Sequence, residues 1–92
     1  MTVEVIRTDG TRETVTIARP HRAIVEIATL IEAETLDTVN LRDGRVMLVD
    51  DTGMIDGRPI NDEATRLYWT VRPGTFNSIF GDVVIATDAD FA

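Results

Sequence analysis

Cysteine and lysine are both absent from this chain of 92 residues. Small secreted domains lean on disulfides, so a chain without cysteine is expected in a reducing cytoplasm. Without lysine there is no P-loop lysine, no Schiff base and no lysine general base. All nine basic residues are arginine, a pattern that coding bias in a GC-rich genome explains. Histidine and serine occur once each, as His21 and Ser78. A Ser-His-acid triad would have to use those two, and Asn77-Ser78-Ile79 lacks the glycines of a nucleophile elbow. A zinc site would have to gather carboxylates around the lone His21, a poor match to usual ligand sets. His21 itself reads more simply as a solvated residue in the first turn of a helix. These gaps argue against an enzyme, and neither a metal nor a cofactor is expected. No apolar run approaches the length of a membrane span, so no membrane partner is expected. Met1-Thr2-Val3-Glu4 lacks the basic-then-apolar layout of a secretory signal.

What is present fits one domain, residues 1–92. A chain of this size buries roughly 60 to 65% of its unfolded surface, enough to fold without staples. Hydrophobic residues make up 43%, which argues for a core rather than disorder. The net charge is −7, and the imbalance grows from Asp50 onward. Such a surface repels phosphates and argues against direct nucleic-acid binding. It suits a basic protein partner or a mimic of a phosphate backbone, although acidity also serves solubility alone.

Val3 and Val5 alternate with polar residues, as do Val15 and Ile17, and Asp9-Gly10 lies between the two runs. This predicts a hairpin over Thr2–Arg7 and Glu13–Ala18. Pro20 then opens a segment in which Ile24, Ile27, Ala28 and Ile31 recur at helical spacing. An amphipathic helix from Pro20 to Ala33 is expected. A second hairpin is predicted over Thr35–Arg42 and Arg45–Asp50, turning at Asp43-Gly44. The continuous run Val46-Met47-Leu48-Val49 places its strand with both faces covered. Met54-Ile55 reads as a short strand. Asn61 is a strong N-cap, and Asp62 and Glu63 suit the start of a short helix carrying Ala64, Leu67 and Tyr68. Val83–Thr87 is a last strand, followed by the short acidic tail Asp88-Ala89-Asp90-Phe91-Ala92. The sum is an α+β domain. Its mainly antiparallel sheet is built from hairpins and packed on one face by the long helix, with a second short helix elsewhere.

The segment from Asp50 to Thr65 is longer and richer in acids and glycine than a plain connection requires. It contains an Asp51-Thr52-Gly53 turn. A Gly-x-Pro-x-Asn-x-x-Ala-Thr stretch follows from Gly57 through Pro59 and Asn61 to Ala64-Thr65. Gly81-Asp82-Val83-Val84-Ile85 comes later. In this order the features resemble a family of small phage- and plasmid-borne proteins known only as a domain of unknown function. The resemblance covers the C-terminal third to half of the chain, and Arg72–Phe76 departs from its spacing. It implies an accessory gene product of a mobile element, with no activity to transfer.

The leading expectation is a non-enzymatic binding protein, an inhibitor of a host factor, with a host or phage protein as partner. Its candidate contact residues are Asp56, Arg58, Asn61 and Thr65. Arg58 offers a bidentate fork, and the helix start at Asn61 offers backbone N–H groups to a partner or an anionic ligand. The plainer reading of the same cluster is a helix cap with solvated charges. The alternative is a homo-oligomer that sequesters a small nucleotide-like ligand, with Tyr68-Trp69 and Phe76 as candidate anchors, although the favoured expectation places these aromatics in the domain's own core. A remote alternative is a dimeric aspartic protease. Asp51-Thr52-Gly53 and Ile79-Phe80-Gly81 resemble its two signature elements, and two copies would supply the proton-sharing carboxylates. Asp50 and Met54 depart from that pattern, and the gap between the elements is too short for a flap. A metal-dependent hydrolase built on Asp50, Asp51 and Asp56 ranks lower, because their spacing does not match a calcium loop.

Overall fold

Asp9-Gly10 closes the first hairpin as its turn chemistry dictates. Gly10 takes a φ of 89°, and Arg7 N donates to Thr11 O at 2.9 Å. The hairpin joins β1 (Thr2–Ile6) to β2 (Arg12–Thr16). A 3₁₀ turn at Pro20–Arg22 leads into α1 (Ala23–Leu30). Then come β3 (Leu36–Asn40), β4 (Arg45–Asp50), α2 (Asp62–Val71) and β5 (Val83–Thr87). The computed structural model describes residues 1–87 and Ala89. The acidic tail read at 88–92 therefore lies, but for Ala89, outside the described residues.

The strands form one antiparallel sheet in the order β2-β1-β5-β4-β3. The last strand in sequence is thus the middle strand in space. The side chains of β5 and β4 alternate between two cores. Val84, Ala86 and Leu48 join Val3 and Val5 beneath Ala23, Ile27 and Ile31 of the α1 segment. Val83, Ile85, Met47 and Val49 join Ile6 against Ala64 and Val71 of α2, together with Ile79. The result is an α+β domain with helical cover on both faces of the sheet. Both predicted hairpins form, and β4 is covered on both faces. Among the described residues no helix is long and apolar enough to cross a membrane.

Three expectations are corrected. The helix predicted from Pro20 to Ala33 is split and shortened. Its first turn is 3₁₀, and its end comes early because Glu32 adopts the left-handed φ of 55° while Ala33 N bonds Ala28 O at 2.9 Å. Met54-Ile55 is not a strand. Residues 51–57 form consecutive turns, held by Asp56 N to Thr52 O and Arg58 N to Gly53 O, both 2.9 Å. Trp69 and Phe76 do not fill the core: both are exposed, Phe76 to 94%.

Candidate functional site

The turns after β4 are organised by Asp50, the last residue of that strand. Its Oδ1 accepts from Thr52 N at 3.0 Å, an Asx turn that reverses the chain. The Thr52 hydroxyl lies 2.8 Å from Asp56 Oδ2 and 3.2 Å from Asp50 Oδ1, and its single proton favours the shorter contact. Asp50 Oδ2 is buried with no hydrogen-bond partner among the described residues, and Arg58 Nε stands 3.5 Å from it. The Arg58 guanidinium continues to the Glu32 carbonyl just beyond α1. A second arginine, Arg7, donates to Leu30 O at 2.9 Å and to Asp82 at 2.9 Å, and also binds Glu13. Its pKa lies above the ordinary arginine value, raised first by the bond to Asp82 and then by that to Glu13. Two guanidinium groups therefore close the carbonyl end of α1, where cations are favoured.

The four sequence-predicted contact residues separate into two pairs. Asn61 and Thr65 are buried. Asn61 Oδ1 accepts from Ala64 N at 3.1 Å, as an N-cap should, while its Nδ2 donates to Ile6 O and Gly81 O. Thr65 Oγ1 accepts from Ile79 N at 2.9 Å. Their polar atoms hold the 77–81 segment against the sheet. Asp56 is exposed, and Arg58 is half-buried over Gly81. The start of α2 does not offer a free anion site. Ala64 N and Thr65 N are bonded to Asn61, Asp62 stands at the first position, and Glu63 binds Arg12 and Arg66. An anion there would meet two resident carboxylates.

Sequence reasoning passed over the feature beside these residues. A cleft of about 310 Å³ opens between the turns after β4 and the loop after α2. Asp50, Asp51, Gly53 and Met54 line one side, and Asn77, Ser78, Ile79 and Phe80 the other. The two sides are fixed to each other. Gly53 sits so close to Phe80 that a Cβ on it would lie 2.7 Å from the Phe80 carbonyl oxygen, and Ile60 bridges Phe80. The Asp-Thr-Gly and Ile-Phe-Gly elements are thus neighbours through packing. Met54, which lines the cleft, is exposed, and so are Ile55 and Phe76, each next in sequence to a lining residue, Ile55 to 81%. The Trp69 indole N–H holds the far loop by donating to Asn77 O at 2.7 Å. Asp50 and Asp51 bring acid to the lining, which contains no basic residue. Among the described residues no three acids or histidines, Asp50, Asp51 and Asp56 included, are grouped so as to hold a metal ion. His21 lies at the start of the α1 segment on one face of the sheet, whereas Ser78 adjoins the core of the other.

No family model, no curated protein and no solved structure matches the chain, so the phage- and plasmid-borne family remains a resemblance.

Proposed function

We propose that this chain is a non-catalytic binding protein, and that the cleft between the turns after β4 and the loop after α2 receives its partner. The observation that carries this reading is the extrusion of Phe76 and Ile55 on loops that are otherwise tightly held. Large apolar side chains displayed beside a concavity's lining mark a contact surface, because covering them with a partner gains burial that the fold itself forgoes. The acidic lining selects the partner's chemistry. A protein segment that presents an apolar side chain next to arginine or lysine would bury the first against Met54 and Phe76 and set the second beside Asp51. The separation of His21 from Ser78 supports binding rather than hydrolysis. In line with the family resemblance, the partner is a host protein whose basic site this small acidic domain covers.

Screening against an immobilised peptide library tests the proposal. The wild-type chain should select peptides that pair an apolar residue with an adjacent base. Phe76→Ser and Ile55→Ser should lose that selection while keeping the fold. Asp51→Asn should weaken binding and flatten its dependence on salt. No selection, or selection indifferent to all three changes, rejects the reading.

A further inference from the structure

The outward side of α1 is apolar on an otherwise acidic chain. Only Glu26 and Thr29 of Ala23–Leu30 are polar, and the Thr29 hydroxyl is folded back onto Val25 O at 2.9 Å. Ile24 and Val25 stand 51% and 53% exposed, with Ala28 one turn beyond Ile24. A helix that is apolar on nearly every side is ordinarily covered on every side. One flank of this surface carries Arg22 and Glu26, four residues apart, and neither forms an ion pair among the described residues. Arg22 stands at the N-cap, just outside the helical turns of α1, and an arginine preceding a glutamate is in any case the weaker orientation for a pair. Between two antiparallel helices related by a twofold axis, like flanks face each other. An axis passing near Ile24 then sets Arg22 of one chain against Glu26 of the other, twice.

We infer that α1 is the contact helix of a homodimer, with Ile24, Val25 and Ala28 packed about the twofold axis and two reciprocal Arg22–Glu26 pairs at its edges. The charge pattern is self-complementary, as a twofold contact demands. A second copy therefore fits where a membrane surface or a uniformly charged partner would leave Glu26 or Arg22 unmatched. A short helix buries little area, so the dimer belongs to the weak, concentration-dependent class. The inference does not rest on the cleft, which adjoins the opposite face of the sheet, so either reading can fail without the other.

Sedimentation velocity over a dilution series from micromolar to near-millimolar protein should show a monomer–dimer equilibrium. Arg22→Glu alone and Glu26→Arg alone should each weaken it about tenfold or more, because each creates like-charge contacts at both edges. Mixing the two single variants should restore association, since each then supplies what the other lacks. Circular dichroism confirms that both variants are folded before mixing. A monomer at every concentration, a dimer unmoved by the single changes, or a mixture that fails to reassociate overturns the inference. So does a monomer that binds phosphatidylserine vesicles through Ile24 and Val25.

Discussion

Asn61 Nδ2 donates to the carbonyl oxygen of Ile6 at 3.0 Å, across 55 positions of the chain. Its second hydrogen goes to Gly81 O at 3.0 Å. One side chain thus caps α2, holds the end of β1 and fixes the approach to β5. Asn61→Ala removes the cap and leaves two buried carbonyls short of a donor. The cap is worth about 1 kcal/mol, and each unsatisfied buried group costs about 1–3 kcal/mol. A loss of at least about 3 kcal/mol is expected in urea denaturation, read as a lower midpoint at an unchanged slope. Asn61→Asp keeps an oxygen for Ala64 N yet offers neither carbonyl a donor, so it should recover little. Near-full stability in that variant would show that the cap alone matters.

That double role explains what could and could not be read from the chain. The cap was legible, because asparagine before two acids and an apolar stripe is local chemistry. So were the hairpins, since Asp9-Gly10 and Asp43-Gly44 supply the positive φ their turns take at Gly10 and Gly44. The reach of Asn61 to Ile6 was not legible, because it depends on β5 entering the sheet between β1 and β4, a non-local pairing. The end of α1 was missed for a different reason: Glu32, with no glycine to announce it, takes the left-handed turn. Hydrophobicity alone placed Phe76 near the core, and only the path of the loop shows it turned outward. Among the proposed contact residues, composition could not tell Asn61 and Thr65, which face inward, from Asp56, which does not.

Gly53 and Gly57 make a matched pair of tests. A Cβ on Gly53 meets the Phe80 carbonyl oxygen at 2.7 Å, backbone against backbone, so the cleft must widen to admit it. Gly57 has open space around it but a φ of 75°, so alanine there costs only its left-handed strain, about 1 kcal/mol. Gly53→Ala should cost more, roughly 2–3 kcal/mol, as overpacking does. It should also weaken peptide selection by the cleft, whereas Gly57→Ala should spare it. Equal effects of the two changes on thermal unfolding would contradict the close packing of these loops.

Acid should destabilise the hairpin turns. Asp9 is held below its ordinary pKa chiefly by the Thr11 hydroxyl, and Asp43 chiefly by Arg45. A carboxylate with a depressed folded pKa adds stability above its unfolded pKa and loses that contribution as pH falls through the folded one. The window therefore opens near the ordinary value of 3.8 and extends below it. Asp9→Asn and Asp43→Asn should each lower the neutral part of a stability–pH curve slightly and flatten its acid limb, leaving the low-pH end little changed. An acid limb identical in the double variant would mean that other carboxylates set it.

The Asp50–Arg58 contact is a charge pair with one member sealed away. The Asp50 side chain is 2% exposed, its Oδ2 has no hydrogen-bond partner among the described residues, and Arg58 Nε lies 3.5 Å from it. The Arg58 stem also covers Gly81, whose added Cβ would lie 3.6 Å from it. Arg58→Met keeps that stem and removes the charge, leaving a buried carboxylate without its cation. Breaking such a pair from one side is costly, about 2–3 kcal/mol when the cation is partly exposed. Converting Asp50 to asparagine in the same chain removes the stranded charge. Asp50→Asn/Arg58→Met should therefore be more stable than Arg58→Met alone, by at least about 1 kcal/mol. Arg58→Lys should fall between, since a single ammonium cannot serve both Asp50 and the Glu32 carbonyl. A double variant that is merely the sum of its parts would show that the two side chains are not coupled. The turn would then be held by Thr52 and the Gly53 contact alone.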